Sequence, residues 1–330
     1  MSKEGDMLLE LYRKELWSSW VTTKSSAIEE LDPTKFQDAM FAKISDYNSF
    51  DGGRIAGWVT AMEGPAAVLR SVRDRRTGHT IHCYSDRPRA ALTHDLLFGL
   101  RILAWMSSAT PITWWWWDQP WPRTLPADTD PGKDHVNGGW AVPGIPEVHV
   151  YRREEAHKVL IHECIHALLL DVAVATEVRS QFNADLGRRL WPHLGEAYTE
   201  LYAEWLWSIA AASSLTNACK AWSAQLRCSE RQAIEVWVRI HDSRVDEDTN
   251  VFAYYVLKWV LMQHLEEALM RPQHAFGSWF RWWVELKPRL GAAAMAPVAV
   301  ASEHKALSMG MTCGASGSSG SSGSSVQKRK

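Results

Sequence analysis

Apolar positions recur along this chain in two rhythms, one helical and one alternating. Leu92, Leu96, Leu97, Leu100, Leu103 and Ala104 repeat at three- and four-residue steps, which predicts a helix over Arg89 to Ser107, ended before Pro111. Ala66 to Asp74 and His79 to Tyr84 read as two strands around a turn at Thr77-Gly78, and Ile112 to Trp117 as a bulky strand. A loop rich in proline, glycine and aspartate follows, Asp118 to Asp134, then two extended segments, Val136 to Val142 and Glu147 to Tyr151. Next comes a helix expected from near Arg153 to at least Leu170, with Glu154 and Glu155 in its first turn, where acidic side chains suit the positive end of the helix dipole.

Beyond that point the rhythm is helical almost throughout, over Gly195 to Ala212, Glu230 to Ile240 and Asn250 to Leu269. Asp6 to Trp20 also reads as a helix. The expected organisation is therefore an N-terminal helical segment (1–50), an α/β half (51–171), a helical half (172–308) and a Gly/Ser tail with a basic tip (309–330).

Composition narrows the function. Of 330 residues, 46% are hydrophobic and 22% charged, as in a globular protein with a sizeable core. A net charge of −2 gives no field favouring nucleic acid or an anionic membrane, so neither is expected as a partner. The first residues lack the apolar run of a secretory signal, and the best apolar stretch, Val251 to Met262, is too short to span a bilayer. Five scattered cysteines without a C-x-x-C pair point to reduced thiols and an intracellular, cytoplasmic setting. The nineteen tryptophans read as core and partner-surface filling.

The chemistry lies in VLIHECIHALLL, which carries H-E-x-x-H at His162, Glu163 and His166. Residues four apart on a helix lie about 40° apart around the axis and about 6 Å along it. Two imidazoles so placed reach one metal from the same side, and Glu163 can contact a water in the remaining position. Uncharged neighbours from Val159 to Leu168 suit a buried helix behind such a site.

A third ligand has several candidates. Extension of the motif by a third histidine would need glycine at position 169 and histidine at position 172, where Leu169 and Val172 stand. The segment LGEAYTELYAEW offers Glu196, Glu200 and Glu204 on one helical stripe instead. Glu196 is favoured as ligand, with Glu200 accepting a hydrogen bond from a ligand histidine. The alternative is Glu200 as ligand with Glu204 behind it, and His193 and Asp171 are weaker candidates.

H-E-x-x-H followed by E-x-x-x-D/E on a second helix resembles the gluzincin, thermolysin-like branch of the zincin metallopeptidases. Val136-Asn137-Gly138-Gly139-Trp140 resembles the edge strand that pairs with substrate in that group. The segments Val136 to Gly139, Tyr151 to Glu155 and Lys158 to His166 are also similar to uncharacterised H-E-x-x-H proteins of large DNA viruses and protists, over about residues 110–205. The resemblance implies an α+β, zincin-like fold, in which a small mixed sheet packs its edge strand on the metal helix and a helical half follows. It further implies one zinc ion on His162, His166 and Glu196, Glu163 as general base and Glu200 behind the ligands. A peptide or protein substrate would bind along Asn137, Gly138, Gly139 and Trp140. Tyr254 or Tyr255 could hold the oxyanion, and the assignment falls on Tyr255. The competing reading is a catalytically inactive protein of the same fold that binds or supports a partner.

Overall fold

The computed structural model describes residues 3–23, 28–44, 53–62, 67–125, 133–187, 193–240, 249–295 and 307–308. The chain begins with α1 (Lys3–Thr22), β1 (Ile28–Leu31), α2 (Thr34–Ala42), α3 (Arg54–Ala61), β2 (Val68–Asp74) and β3 (Thr80–Ser85). Then come α4 (Arg89–Met106), β4 (Thr113–Asp118), β5 (Thr124–Leu125), α5 (Lys133–Val136), β6 (Gly139–Ala141) and β7 (Glu147–Val150). The helical part holds α6 (Ala156–Ala167), α7 (Thr176–Leu186), α8 (His193–Ala210) and α9 (Leu215–Ile240). A π-helical turn (Ala253–Leu257) leads into α10 (Lys258–Gln263), α11 (Leu265–Met270) and α12 (Pro272–Met295), and β8 (Leu307–Ser308) pairs with β5.

Six strands form a mixed sheet in the order β1-β2-β3-β4-β7-β6. The β3, β4 and β7 strands run parallel, and the outer pairs are antiparallel. The class is α+β. The tryptophan run sits centrally in this sheet, and the period of two along a strand sends its rings to opposite faces. Trp114 and Trp116 stack with centroids 4.8 Å apart inside the main core, which α4, α6 and the helical half complete. Trp115 and Trp117 enter a second cluster with Met40, Ile55, Trp58 and Tyr84, under α2 and α3. Each buried ring of this size contributes at most roughly 4–6 kcal/mol of transfer free energy.

Several sequence expectations need correction. The described part of the N-terminal fifty residues is not a separate helical segment, because β1 pairs with β2 and extends the sheet at its edge. α1 is also tied in: Trp20 is buried in the main core, and its carbonyl accepts a hydrogen bond from Arg101 at 2.7 Å. Val136 to Val142 is not one strand. Its start closes a helical turn, and only Gly139 to Ala141 pairs with β7.

The metal-motif helix is shorter than predicted at both ends. Glu155 takes a left-handed conformation (φ 59°) before the first turn, so Glu154 and Glu155 do not cap a dipole. Instead Arg123 donates its backbone N–H to Glu154 and its guanidinium to Glu155 at 3.1 Å, clamping the loop after β4 to the helix start. At the other end Leu169 is left-handed (φ 57°), and the Leu168 and Leu170 amides close onto Cys164 and Ile165. That reversal ends the helix before Leu170 and brings Asp171 back towards His166.

Among the described residues, Cys83, Cys164 and Cys219 are free thiols. Among the described residues no helix is long and apolar enough to cross a membrane. The expected tail, 309–330, lies outside the described residues.

Candidate metal centre

Two helices build the site. α6 presents Lys158, His162 and His166 at four-residue steps, and α8 presents Glu196, Glu200 and Glu204 at the same step. The helices pack antiparallel, so falling numbers on one meet rising numbers on the other. Glu196 Oε2 lies 3.3 Å from His162 Nε2 and 3.6 Å from His166 Nε2. Glu200 Oε2 lies 2.9 Å from His162 Nδ1, and its other oxygen accepts from Lys158 Nζ. Glu204 pairs with Lys258 of α10 at 2.6 Å, fully buried and away from the histidines.

His162, His166 and Glu196 bring one donor atom each to within 4.8 Å of one another, and the two Nε2 atoms are 3.1 Å apart. Both Nδ1 atoms are engaged behind the site. His162 uses Glu200, and His166 uses Asp171 at 3.0 Å, which Thr199 in turn holds by a 2.7 Å hydrogen bond. A carboxylate can only accept, so each Nδ1 carries the proton and each Nε2 is directed at the shared space. Two imidazoles and a carboxylate, backed by acidic partners, fit a divalent metal ion. Asp171, a weaker ligand candidate, is placed as such a partner. The His193 side chain lies outside the described residues.

Glu163 faces the same cavity, of about 360 Å³, without belonging to the donor group. Burial pushes its carboxyl up to about 8, with His166 pulling the other way. For Glu196 burial opposes the charge, but the two histidines beside it prevail and hold it below the usual carboxylate range. His162 is pushed down to about 4 by burial. His166 also suffers from burial, yet its contacts with Asp171 and Glu196 raise it to about 11.

Asn137, Gly139 and Trp140 line the cavity, and Gly138 lines a smaller recess adjoining it. Gly139 has no room for a side chain: a Cβ would stand 2.6 Å from the His149 carbonyl, 2.7 Å from Val159 and 3.0 Å from Glu163 Oε1. The strand therefore lies directly on α6, beside Glu163. Asn137 is fixed by Thr249, whose hydroxyl donates to Asn137 Oδ1 at 3.1 Å.

The tyrosine assignment changes. Tyr255 is wholly buried and does not line the cavity, because one residue's rotation along the π-helical turn carries it into the core. Tyr254 lines the cavity instead, with its hydroxyl 3.4 Å from Glu196 Oε2 and 3.3 Å from Asn250 Nδ2. Asn250, Thr249 and Lys133 also line the cavity and carry no motif that would have marked them. The chain matches no protein-family model, no curated protein and no solved structure.

Proposed function

We propose that this protein is a zinc-dependent metallopeptidase of the gluzincin type, hydrolysing peptide bonds with Glu163 as general base. The observation that carries the reading is the Glu163 carboxylate, buried in the cavity of the His162, His166 and Glu196 group but outside that group. A purely structural metal site has no use for a base at that position. One zinc ion on the three donors would supply a Lewis acid and a bound water with a pKa near ~7.

The chain's own groups then have distinct tasks. Glu163, raised to about 8, takes a proton from the attacking water and can deliver it to the leaving amine. Tyr254 donates its hydroxyl towards the scissile carbonyl oxygen as charge develops there. Among the described residues β6 pairs with β7 on one side only, leaving the outer edge of Gly139–Ala141 for the backbone of an extended peptide, with Asn137 lining the cavity beside it.

The test is a peptide library with metal analysis. Wild type should hold one zinc per chain and cleave members of the library, with activity lost to a chelator and restored by zinc. Glu163→Gln should keep the zinc and lose at least ~10²–10⁴-fold in rate. Unchanged cleavage by Glu163→Gln would overturn the mechanism. Bound zinc without any cleavage by wild type would favour an inactive binding protein.

A further inference from the structure

Lys158 is a buried charge that the proposed reaction does not use. It is 1% exposed and sits one helical turn before His162, on the face of α6 that meets α8. Its ammonium donates to Glu200 Oε1, while Glu200 Oε2 takes the proton-bearing Nδ1 of His162. Burying a lysine is costly unless it is paired, and its Nζ is paired with Glu200. Around it, Glu155 and Glu204 favour its charge and Arg123 and Lys258 oppose it. A methionine or leucine would fill the same space without that cost.

We infer that Lys158 is a positioning residue for the metal centre: by holding one oxygen of Glu200 it keeps the other on His162 Nδ1, so that Nε2 faces the cavity as a lone pair. The inference rests on the metal-site reading proposed above. The effect of losing Lys158 has a direction. Without it, Glu200 Oε1 loses the donor that fixes it, so the carboxylate can turn and its hold on His162 Nδ1 loosens. An imidazole no longer held at Nδ1 can carry its proton on Nε2 instead, where a ligand lone pair is needed. His166 relies on Asp171 and is spared.

The experiment combines histidine ¹⁵N NMR of metal-free protein with zinc affinity by chelator competition, on wild type, Lys158→Met and the double variant Lys158→Met/Glu200→Gln. Wild type should show His162 protonated on Nδ1. Lys158→Met should populate the Nε2-protonated form and bind zinc about 10–100-fold more weakly, with His166 unchanged. The double variant removes the stranded charge and keeps an amide oxygen as acceptor, so it should restore the Nδ1 form and bring affinity back to within about tenfold of wild type. An Nδ1-protonated His162 and undiminished zinc affinity in Lys158→Met would overturn the inference. If Lys158→Met does not fold, the double variant decides, and an Nε2-protonated His162 there would equally overturn it. Wild type that binds no zinc would refute the metal reading, while the tautomer comparison would still judge Lys158.

Discussion

Tyr254 directs its hydroxyl at Glu196 Oε2 across 3.4 Å, so a residue from the π-helical turn reaches the carboxylate that joins the two histidines. π-turns inside helices shift the facing of the residues they carry and recur at functional sites. Here the shift brings Tyr254 to the cavity and sends Tyr255 to the core. Burial, and then the charge of Glu196, raise the Tyr254 phenol, which favours its protonated, donating form.

Tyr254→Phe should therefore lower kcat by about 10²–10³-fold, as for loss of one oxyanion donor, while zinc content is retained. Tyr255→Phe removes the hydroxyl of a buried ring away from the cavity and should leave kcat within a few-fold of wild type. Steady-state kinetics on both variants checks this. The reverse ranking would return the donor role to Tyr255.

The two glutamates of α8 separate in the same way. Glu196→Ala removes a donor atom and should lower zinc affinity by more than Glu200→Ala, whose expected loss is about 10–100-fold. Competition with a chromogenic chelator measures both. Normal zinc binding by Glu196→Ala with severe loss in Glu200→Ala would mean that Glu200 is the ligand.

Much of this centre is legible in the sequence because helical periodicity is a local property. His162 and His166 four apart, and Glu196, Glu200 and Glu204 at the same step, define two stripes from spacing alone. Which glutamate meets which histidine depends on the antiparallel offset of α6 and α8, a tertiary quantity that sequence spacing does not contain. Tyr254 and Tyr255 are adjacent, and only the rotation of the π-turn distinguishes them. β1 is hidden because four residues, Ile-Glu-Glu-Leu, carry too little pattern to announce an edge strand. Lys158 does leave a signal, a basic residue one helical turn before His162 on the same stripe.

Gly139 tests whether β6 must lie directly on α6. Gly139→Ala should cost about 1–3 kcal/mol, because one of the atoms its Cβ would meet is the His149 carbonyl, which cannot yield as a side chain can. Gly195 of α8 is the control. A Cβ there meets nothing within 4 Å, so Gly195→Ala should stabilise by about 0.5–1 kcal/mol through helix propensity. Urea unfolding of both variants reads the contrast, and equal effects would show that the strand has slack.

His149 supplies a pH dependence with a definite sign. Its ring lies flat on Trp140, centroids 3.9 Å apart, and is 2% exposed. Burial, with Lys43 nearby, pushes its pKa down to about 3. An unfolded chain would titrate this residue near ~6.5. Between those values the unfolded state binds a proton that the folded state refuses, so stability rises with pH across the window and falls as the solution is acidified. Well above about pH 6.5 both states are neutral at this position and its contribution is complete. Below that the loss approaches about 1.4 kcal/mol per pH unit until the folded pKa is reached. His82, held down to about 4 by burial, adds a loss of the same sign over part of the range. His149→Phe keeps the ring stack and removes the titration, so its unfolding free energy should fall less steeply than that of wild type from about pH 6.5 to about pH 4. Urea titrations at half-unit pH steps measure the two slopes, and parallel curves would show that His149 is protonated in the folded protein as readily as in the unfolded one.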